Sequence, residues 1–344
     1  MKAKYVLKSD RVCRALTGLD VNGYNRLLEN FIWMYDRQMR IEFKARCEAQ
    51  DKKALSSGGS GSSGVGSVGS VRVVKHRSFG GGRIGAFGDD ADKLLLVLFF
   101  LKTYSTEEVL AAFFGVDNST AGIRLRKFRS VVVELLGESG VDVLPRRKIS
   151  SLEELFEKFP EISEVYIDGT ERPVQKKLNR KASNKNYSKK GKKHTRKNVT
   201  VVGKGKTGDR REILSLTPTR NGRRHDKKIS DKDQIYRYLP PEIETYQDTG
   251  FIGSNKLNLH EDNSNFHIPK KKTKLQSLTD DDKFLNRLIS SIRVTVENSN
   301  WGLKRLNSIA HIFRHKISRS DDQFMLLAAG IWNFHLLHNE IKMV

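Results

Sequence analysis

The chain has 344 residues, 37% of them hydrophobic, enough for two or three domains with cores of their own. Its formal charge of +23 and pI near 9.9 point to a polyanionic partner. Between Arg172 and Lys228, 21 Lys/Arg face three acids, so +18 of the excess lies in 57 residues, where a solvated surface would mix its signs. Nucleic acid is the favoured partner. A membrane surface is the rival, but the longest apolar run, Leu94 to Leu101, is too short to cross a bilayer. Two cysteines, Cys13 and Cys47, give neither a disulfide framework nor CxxC zinc spacing. Met1 to Lys4 is charged and no apolar stretch follows, which argues against secretion; the expected location is the cytoplasm, in association with the nucleoid.

Residues 1–55 read as a helical segment. Asp20 can cap a helix in which Tyr24, Leu27, Leu28, Phe31 and Met34 recur at helical spacing. Either a DNA-binding module or a small packing bundle fits this pattern. Residues 56–90 form a linker: Ser56 to Ser70 contains only Ser, Gly and two Val and cannot bury enough apolar surface to offset its ordering entropy. The later Gly80-Gly81-Gly82-Arg83 is not a phosphate-binding loop, because no GK[ST] follows.

Residues 91–147 tighten into three helices. Leu94 to Tyr104 is apolar; Ser105-Thr106-Glu107-Glu108 is a capping box for a second helix through Phe114; Gly115 ends it, and Asp117-Asn118-Ser119 caps a third. The third carries Arg124, Arg126, Lys127 and Arg129 beside Leu125, Phe128, Val132 and Leu136. Short capped helix, Gly-containing turn and Arg-rich helix make a helix-turn-helix, with Ser119, Thr120, Ile123 and Arg124 near base edges in the major groove. A plain three-helix bundle is the alternative.

Residues 148–344 read as a mixed α/β domain. After a short helix at Ser151 to Phe159, Val165-Tyr166-Ile167 forms a buried strand that Gly169 and Pro173 break, with Asp168 at its C-terminal end. An acid held there suits a metal or catalytic ligand, or simply caps the next turn. Two more strands follow at Val199 to Val202 and Glu212 to Leu216, then a helix from Asp226 to Leu239. Glu244 to Gln247 is another strand, again leading to an acid, Asp248, near a Gly. Thr279 to His311 reads as one long helix on which Arg293, Glu297 and Lys304 share a stripe about 40° wide. Arg293 and Glu297 alone could be an ordinary surface pair. Together, Asp168, Asp248 and Glu297 can converge on one or two Mg²⁺ or Mn²⁺ ions, since hard cations take carboxylate oxygens and the cation relieves the repulsion among three acids.

In chain order, Leu16-Thr17-Gly18-Leu19, Leu101-Lys102-Thr103-Tyr104, Ile167-Asp168-Gly169-Thr170-Glu171-Arg172-Pro173 and the basic run from Tyr187 to Thr195 are followed by His225-Asp226 and Asp248-Thr249-Gly250-Phe251-Ile252-Gly253. Arg293-x3-Glu297-x6-Lys304 and Ala328 to Phe334 complete the series. With these motifs the chain resembles bacterial insertion-sequence transposases of the D-D-E type, the group related to insertion-sequence family five and to the eukaryotic Harbinger elements, from about residue 10 to residue 335.

The resemblance implies a helix-turn-helix region ahead of a ribonuclease-H-like α/β catalytic domain with a mixed sheet, and catalytic, metal-holding acids at Asp168, Asp248 and Glu297. It implies Mg²⁺-dependent cleavage at transposon ends and transfer of the 3′-hydroxyl to target DNA, by a homodimer or higher assembly on double-stranded DNA. Lys192, Lys193 and His194 are expected to meet phosphates, as are Arg293 and Lys304, while His225 and Asp226 are secondary candidates near the centre. Ser290 stands where related elements often carry Tyr, three residues before the Arg. The alternative function is a catalytically silent DNA-binding regulator that keeps the fold.

Overall fold

The computed structural model describes residues 1–57, 78–80, 85–147, 151, 154, 156–157, 160, 162–189, 191–204, 211–260, 265–272, 277–315 and 320–339. The tether expected at Ser56 to Ser70 lies outside these from residue 58 on, and so does most of the expected helix at Ser151 to Phe159.

The N-terminal part is helical: α1 (Ala3–Val6), α2 (Asp10–Thr17), α3 (Val21–Ser57), α4 (Asp90–Thr103), α5 (Glu107–Phe114) and α6 (Asn118–Leu136). Their ends are set locally. The Asp20 carboxylate accepts from the Gly23 N–H at 2.8 Å ahead of α3. Thr106 accepts from Val109 before α5, Gly115 closes α5 at φ 67°, and the Asp117 carboxylate accepts from the Thr120 N–H at 2.8 Å before α6. Every residue from Leu94 to Leu101 is buried, so α4 is the axis around which the other helices pack.

A seven-stranded mixed sheet follows: β1 (Glu164–Pro173), β2 (Tyr187–Ser188), β3 (Lys193–Lys204), β4 (Arg211–Leu216), β5 (Arg220–Asn221), β6 (Glu244–Gln247) and β7 (Phe266–His267). The main path runs β2-β3-β1-β6-β7, with β4 and β5 also on β3. β3 is antiparallel to β1 and β4, whereas β6 is parallel to β1 and to β7. This mixed sheet behind a helical region is consistent with the ribonuclease-H-like expectation.

Helices α7 (Arg180–Asn186), α8 (Asp226–Asp233), α9 (Asp280–Lys304), α10 (Asn307–Ala310) and α11 (Ser320–Asn339) complete the chain. Period-two alternation divides β1 between two cores. Tyr166 joins Val202, Ile213 and Leu216 against α4, α6, α9 and α11; Val165 and Ile167 join Val199, Val201, Leu214, Ile229, Tyr236 and Phe251 on the opposite face. The first core is continuous from the N-terminal helices to the sheet, with Phe324 and Phe334 of α11 buried inside it.

Three spans differ from the sequence reading. β1 is not broken at Gly169: it runs on to Pro173 because β3 pairs with it throughout, from Val165↔Gly203 to Pro173↔Thr195. What stops near Asp168 is the parallel ladder with β6, whose last pair is Ile167↔Gln247. The helix from Asp226 stops at Asp233, because Gln234 turns to φ 52° and lets Ile235, Tyr236 and Leu239 enter the second core. The long helix toward His311 stops at Lys304: Leu306 is extended and buried, and the short α10 follows.

Candidate active site

Asp168 lies on the same face of β1 as Tyr166, the face covered by α9. Asp248 follows directly on β6, the parallel neighbour, and its carboxylate accepts from the Thr249 N–H at 2.8 Å, which holds it at the mouth of a 3₁₀ turn. The end of the parallel ladder thus brings the two acids together. Between them sits the Arg293 guanidinium, 3.8 Å from Asp168 Oδ1 and 3.5 Å from Asp248 Oδ1. These are long ion pairs, and Arg293 Nε is buried without a hydrogen-bond partner, so one cation is shared by two carboxylates without fully satisfying either.

Burial pushes the Asp168 carboxyl above the usual carboxylate range; Arg293 and the Gly169 N–H oppose this, while Asp226 and Asp248 add to it. The donor set therefore fits a hard divalent cation. It offers the carboxylate oxygens of Asp168 and Asp248, which share a single guanidinium. Among the described residues, no three His, Cys, Asp or Glu side chains already stand close enough to hold a metal ion. Glu297 is exposed on α9, one turn from Arg293 on one side and about one turn from Asn300 on the other.

Asn300 is the site residue that the sequence reading missed. Its Nδ2 donates to Asp168 Oδ2 at 3.1 Å and its Oδ1 accepts from Thr200 Oγ1 at 3.2 Å, fixing the carboxylate from α9. Its signal was its place two turns after Arg293 on the same stripe. Lys197 was hidden within the basic run. It stands opposite Glu171 in the β1–β3 register and bridges Glu171 Oε1 at 3.1 Å and Asp226 Oδ1 at 2.9 Å. Asp226, the first residue of α8, also explains Gly169: a Cβ there would meet Asp226 Oδ1 at 2.6 Å. His225 precedes α8 and makes no side-chain cap.

The remaining candidates lie elsewhere. On α6, Ser119 and Arg124 are exposed, but the Thr120 hydroxyl donates to Asp117 at 2.6 Å. Arg126 lies 3.8 Å from Glu107 and Lys127 pairs with Glu42 at 2.8 Å. Arg129 turns inward, its guanidinium 4.8 Å over the Phe324 ring. Lys192 and Lys193 are exposed at the start of β3, and His194 packs edge-on against Tyr187. Lys304 is exposed at the end of α9.

Residues 167–333, which include both aspartates, Arg293, Glu297 and Asn300, match the DDE superfamily endonuclease family. The chain is also 25% identical over 245 residues, covering 71% of this chain and 80% of the other, to a probable transposase for insertion sequence element IS702 from Microchaete diplosiphon. The resemblance to insertion-sequence DDE transposases therefore holds. No solved structure gives a significant match. Endonucleases of this superfamily generally use divalent metal ions. No helix among the described residues is long and apolar enough to cross a membrane.

Proposed function

We propose that this chain is a DNA transposase that binds the terminal inverted repeats of its element, cleaves DNA strands by Mg²⁺-dependent hydrolysis and joins the 3′-hydroxyl ends to target DNA. It acts as a homodimer or higher assembly on double-stranded DNA. One observation carries the reading: within the endonuclease segment, Asp168 and Asp248 meet at the end of a parallel ladder around one shared cation.

Asp168, Asp248 and Glu297 are the residues to hold Mg²⁺ or Mn²⁺, two ions in this reading. When bound, such ions activate an attacking oxygen and stabilise the leaving one. Asn300 keeps the Asp168 carboxylate oriented, and Glu297, exposed on the same helix, is the third acid of this reading. Lys304, exposed on the same stripe as Glu297, takes a phosphate of the bound end, and Arg293 does so only by leaving the two aspartates it now bridges. Lys192, Lys193 and His194 add point charges along the backbone. The helix-turn-helix part of the reading is supported by the caps of α5 and α6 and by exposed Ser119 and Arg124 at the N-terminal end of α6. Asp226 and Lys197 form the wall behind Gly169 and have a supporting role.

The test is cleavage of DNA flanking the gene, with and without Mg²⁺, by the unaltered chain and by Glu297→Gln. Metal-dependent nicking at the element ends by the unaltered chain is expected, with cleavage lost in the variant and binding kept or raised because a negative charge near phosphate is gone. Binding without cleavage by the unaltered chain under Mg²⁺ or Mn²⁺ would instead identify a silent, DNA-binding regulator.

A further inference from the structure

The far end of β1 opens into a second cleft of about 1010 Å³, away from the paired aspartates. Two backbone hydrogen bonds build it: the Phe313 N–H donates to the Pro173 carbonyl at 3.0 Å, and the Val174 N–H to the His194 carbonyl at 2.9 Å. The segment after α10 is thereby laid beside the end of β1, with Tyr104 from the end of α4 on the third side. Pro173, Val174 and Ile312 give an apolar floor. Around them stand Lys176, Lys193, His194, His311 and Arg314, and among the described residues no carboxylate lines the cleft.

That balance is unlike the sheet nearby. There Arg196 pairs with Asp321, Lys197 with Glu171 and Asp226, and Arg220 with Asp233. In the cleft, Arg314 is engaged by Tyr104, whose hydroxyl accepts from the Arg314 N–H at 2.8 Å and whose ring lies 4.4 Å below the guanidinium. Lys176 and Lys193 are exposed, and among the described residues neither has an ion pair. Unmatched cations over an apolar floor suit a ligand that alternates phosphate with sugar. The volume is at or above the upper limit of small-molecule pockets, about 300–1,000 Å³.

We propose that this cleft is a track for the sugar–phosphate backbone of one strand of duplex DNA, held about five nucleotides from the scissile phosphate. With the DNA strand laid along β1, the spacing follows from the length of the β-strand. Pro173 lies five residues beyond Asp168 on β1, about 17 Å along an extended strand. At about 3.4 Å of duplex rise per nucleotide that is about five nucleotides. The proposal rests on the transposase reading and adds where the DNA leaves the catalytic centre: between the end of the helical region and the edge of the sheet.

The experiment uses the full chain with Asp168→Asn, to prevent cutting, and a labelled duplex of the DNA flanking the gene. Affinity is measured over a salt series with and without the added pair Lys176→Ala and Lys193→Ala, both exposed and so removable without disturbing a core. Two lost phosphate contacts should lower the slope of log K against log salt by about 1.8 and weaken binding on the order of 60-fold at 0.1 M salt. Phosphate-ethylation interference about five nucleotides from the cleavage position should vanish with them. Lys283→Ala, on exposed α9, should leave slope and pattern unchanged. An unchanged slope in the double variant, or an equal loss with Lys283→Ala, overturns the cleft assignment while the transposase reading stands. Failure of the unaltered chain to bind the duplex overturns both.

Discussion

The paired aspartates and the outer face of α6 both carry several charges, but they balance them in opposite ways. On α6 the pairing is one to one and wet: Lys127 with Glu42, Arg126 with Glu107, side chains a quarter to a half exposed, and Arg124 left facing solvent. At the sheet end Arg293 is shared by Asp168 and Asp248, with its own side chain only 13% exposed and Asp226 adding a third negative charge nearby. Surface pairs are worth little and open easily, so α6 can exchange its carboxylates for phosphates. A half-buried centre in which two carboxylates share one guanidinium has no such freedom, and in the proposed reading a divalent ion completes it. On that reading the first region is re-paired by DNA and the second is completed by metal.

The largest expected effect breaks the second half of that contrast. Asp168→Asn or Asp248→Asn removes a charge that the proposed reading gives to the metal, while keeping shape. Strand cleavage at saturating DNA should fall on the order of a thousand-fold, the equivalent of several kcal/mol of lost charge stabilisation. Affinity for the DNA should hardly change. If both variants nick DNA at the unaltered rate, the centre is not where the chemistry happens.

A half-buried group away from both regions checks that burial, and not pairing alone, decides which charges the fold accepts. His315 lies among the rings of Phe100, Tyr104, Phe313 and Phe324, at centroid distances of 5.0 to 6.0 Å. Burial, with Arg129, Arg314 and Arg172 nearby, pushes its pKa down to about 4 from the ordinary 6.5. Below pH 6.5 the unfolded chain takes up a proton that the folded chain refuses, so stability present above 6.5 is lost as pH falls toward 4. The loss from this group should be about 1–3 kcal/mol. His315→Phe should flatten that acid limb; unfolding curves from pH 7 to pH 4 with the same slope for both chains would contradict it.

Arg124 tests the first half of the contrast. It is the exposed cation near the start of α6, so Arg124→Ala should weaken binding to the element's ends by about 1–3 kcal/mol if it reads a base edge. The comparison is with unrelated duplex at the same salt. Equal loss on both makes it a phosphate contact.

Much of the helical region was legible because caps are local: Asp20, Thr106, Gly115 and Asp117 each act within three or four residues. Asp168 and Asp248 were legible for a similar reason, each sitting at or just past a β-prone run. What escaped depended on partners distant in sequence. Whether β1 ends at Gly169 is decided by β3, some thirty residues on, which keeps Gly169 paired with Val199. Lys197 looked like one more cation in a basic run until the register set it against Glu171. Asn300 carried no charge to draw attention, and only the packing of α9 on β1 shows that it touches Asp168.

The smallest expected effect probes whether the α6 pairs really are exchangeable. If Lys127 must leave Glu42 to meet a phosphate, the pair's own strength opposes DNA binding. Exposed pairs contribute about 0.2–1 kcal/mol, so Glu42→Gln should raise DNA affinity by about 1.4- to 5-fold by releasing Lys127 in advance. The same substitution should lower folding stability by no more than about 1 kcal/mol, because the Glu42 side chain is 49% exposed and water replaces its partner. The salt slope should stay nearly constant, since the number of phosphate contacts is unchanged and only the cost of reaching one has fallen. Lys127→Ala should do the reverse, reducing the slope by about 0.9. Should Glu42→Gln leave affinity unchanged while Lys127→Ala leaves the slope unchanged, Lys127 stays paired on DNA. The face of α6 would then be a fixed, solvated surface, and the contrast with the sheet-end centre would rest on Arg124 alone.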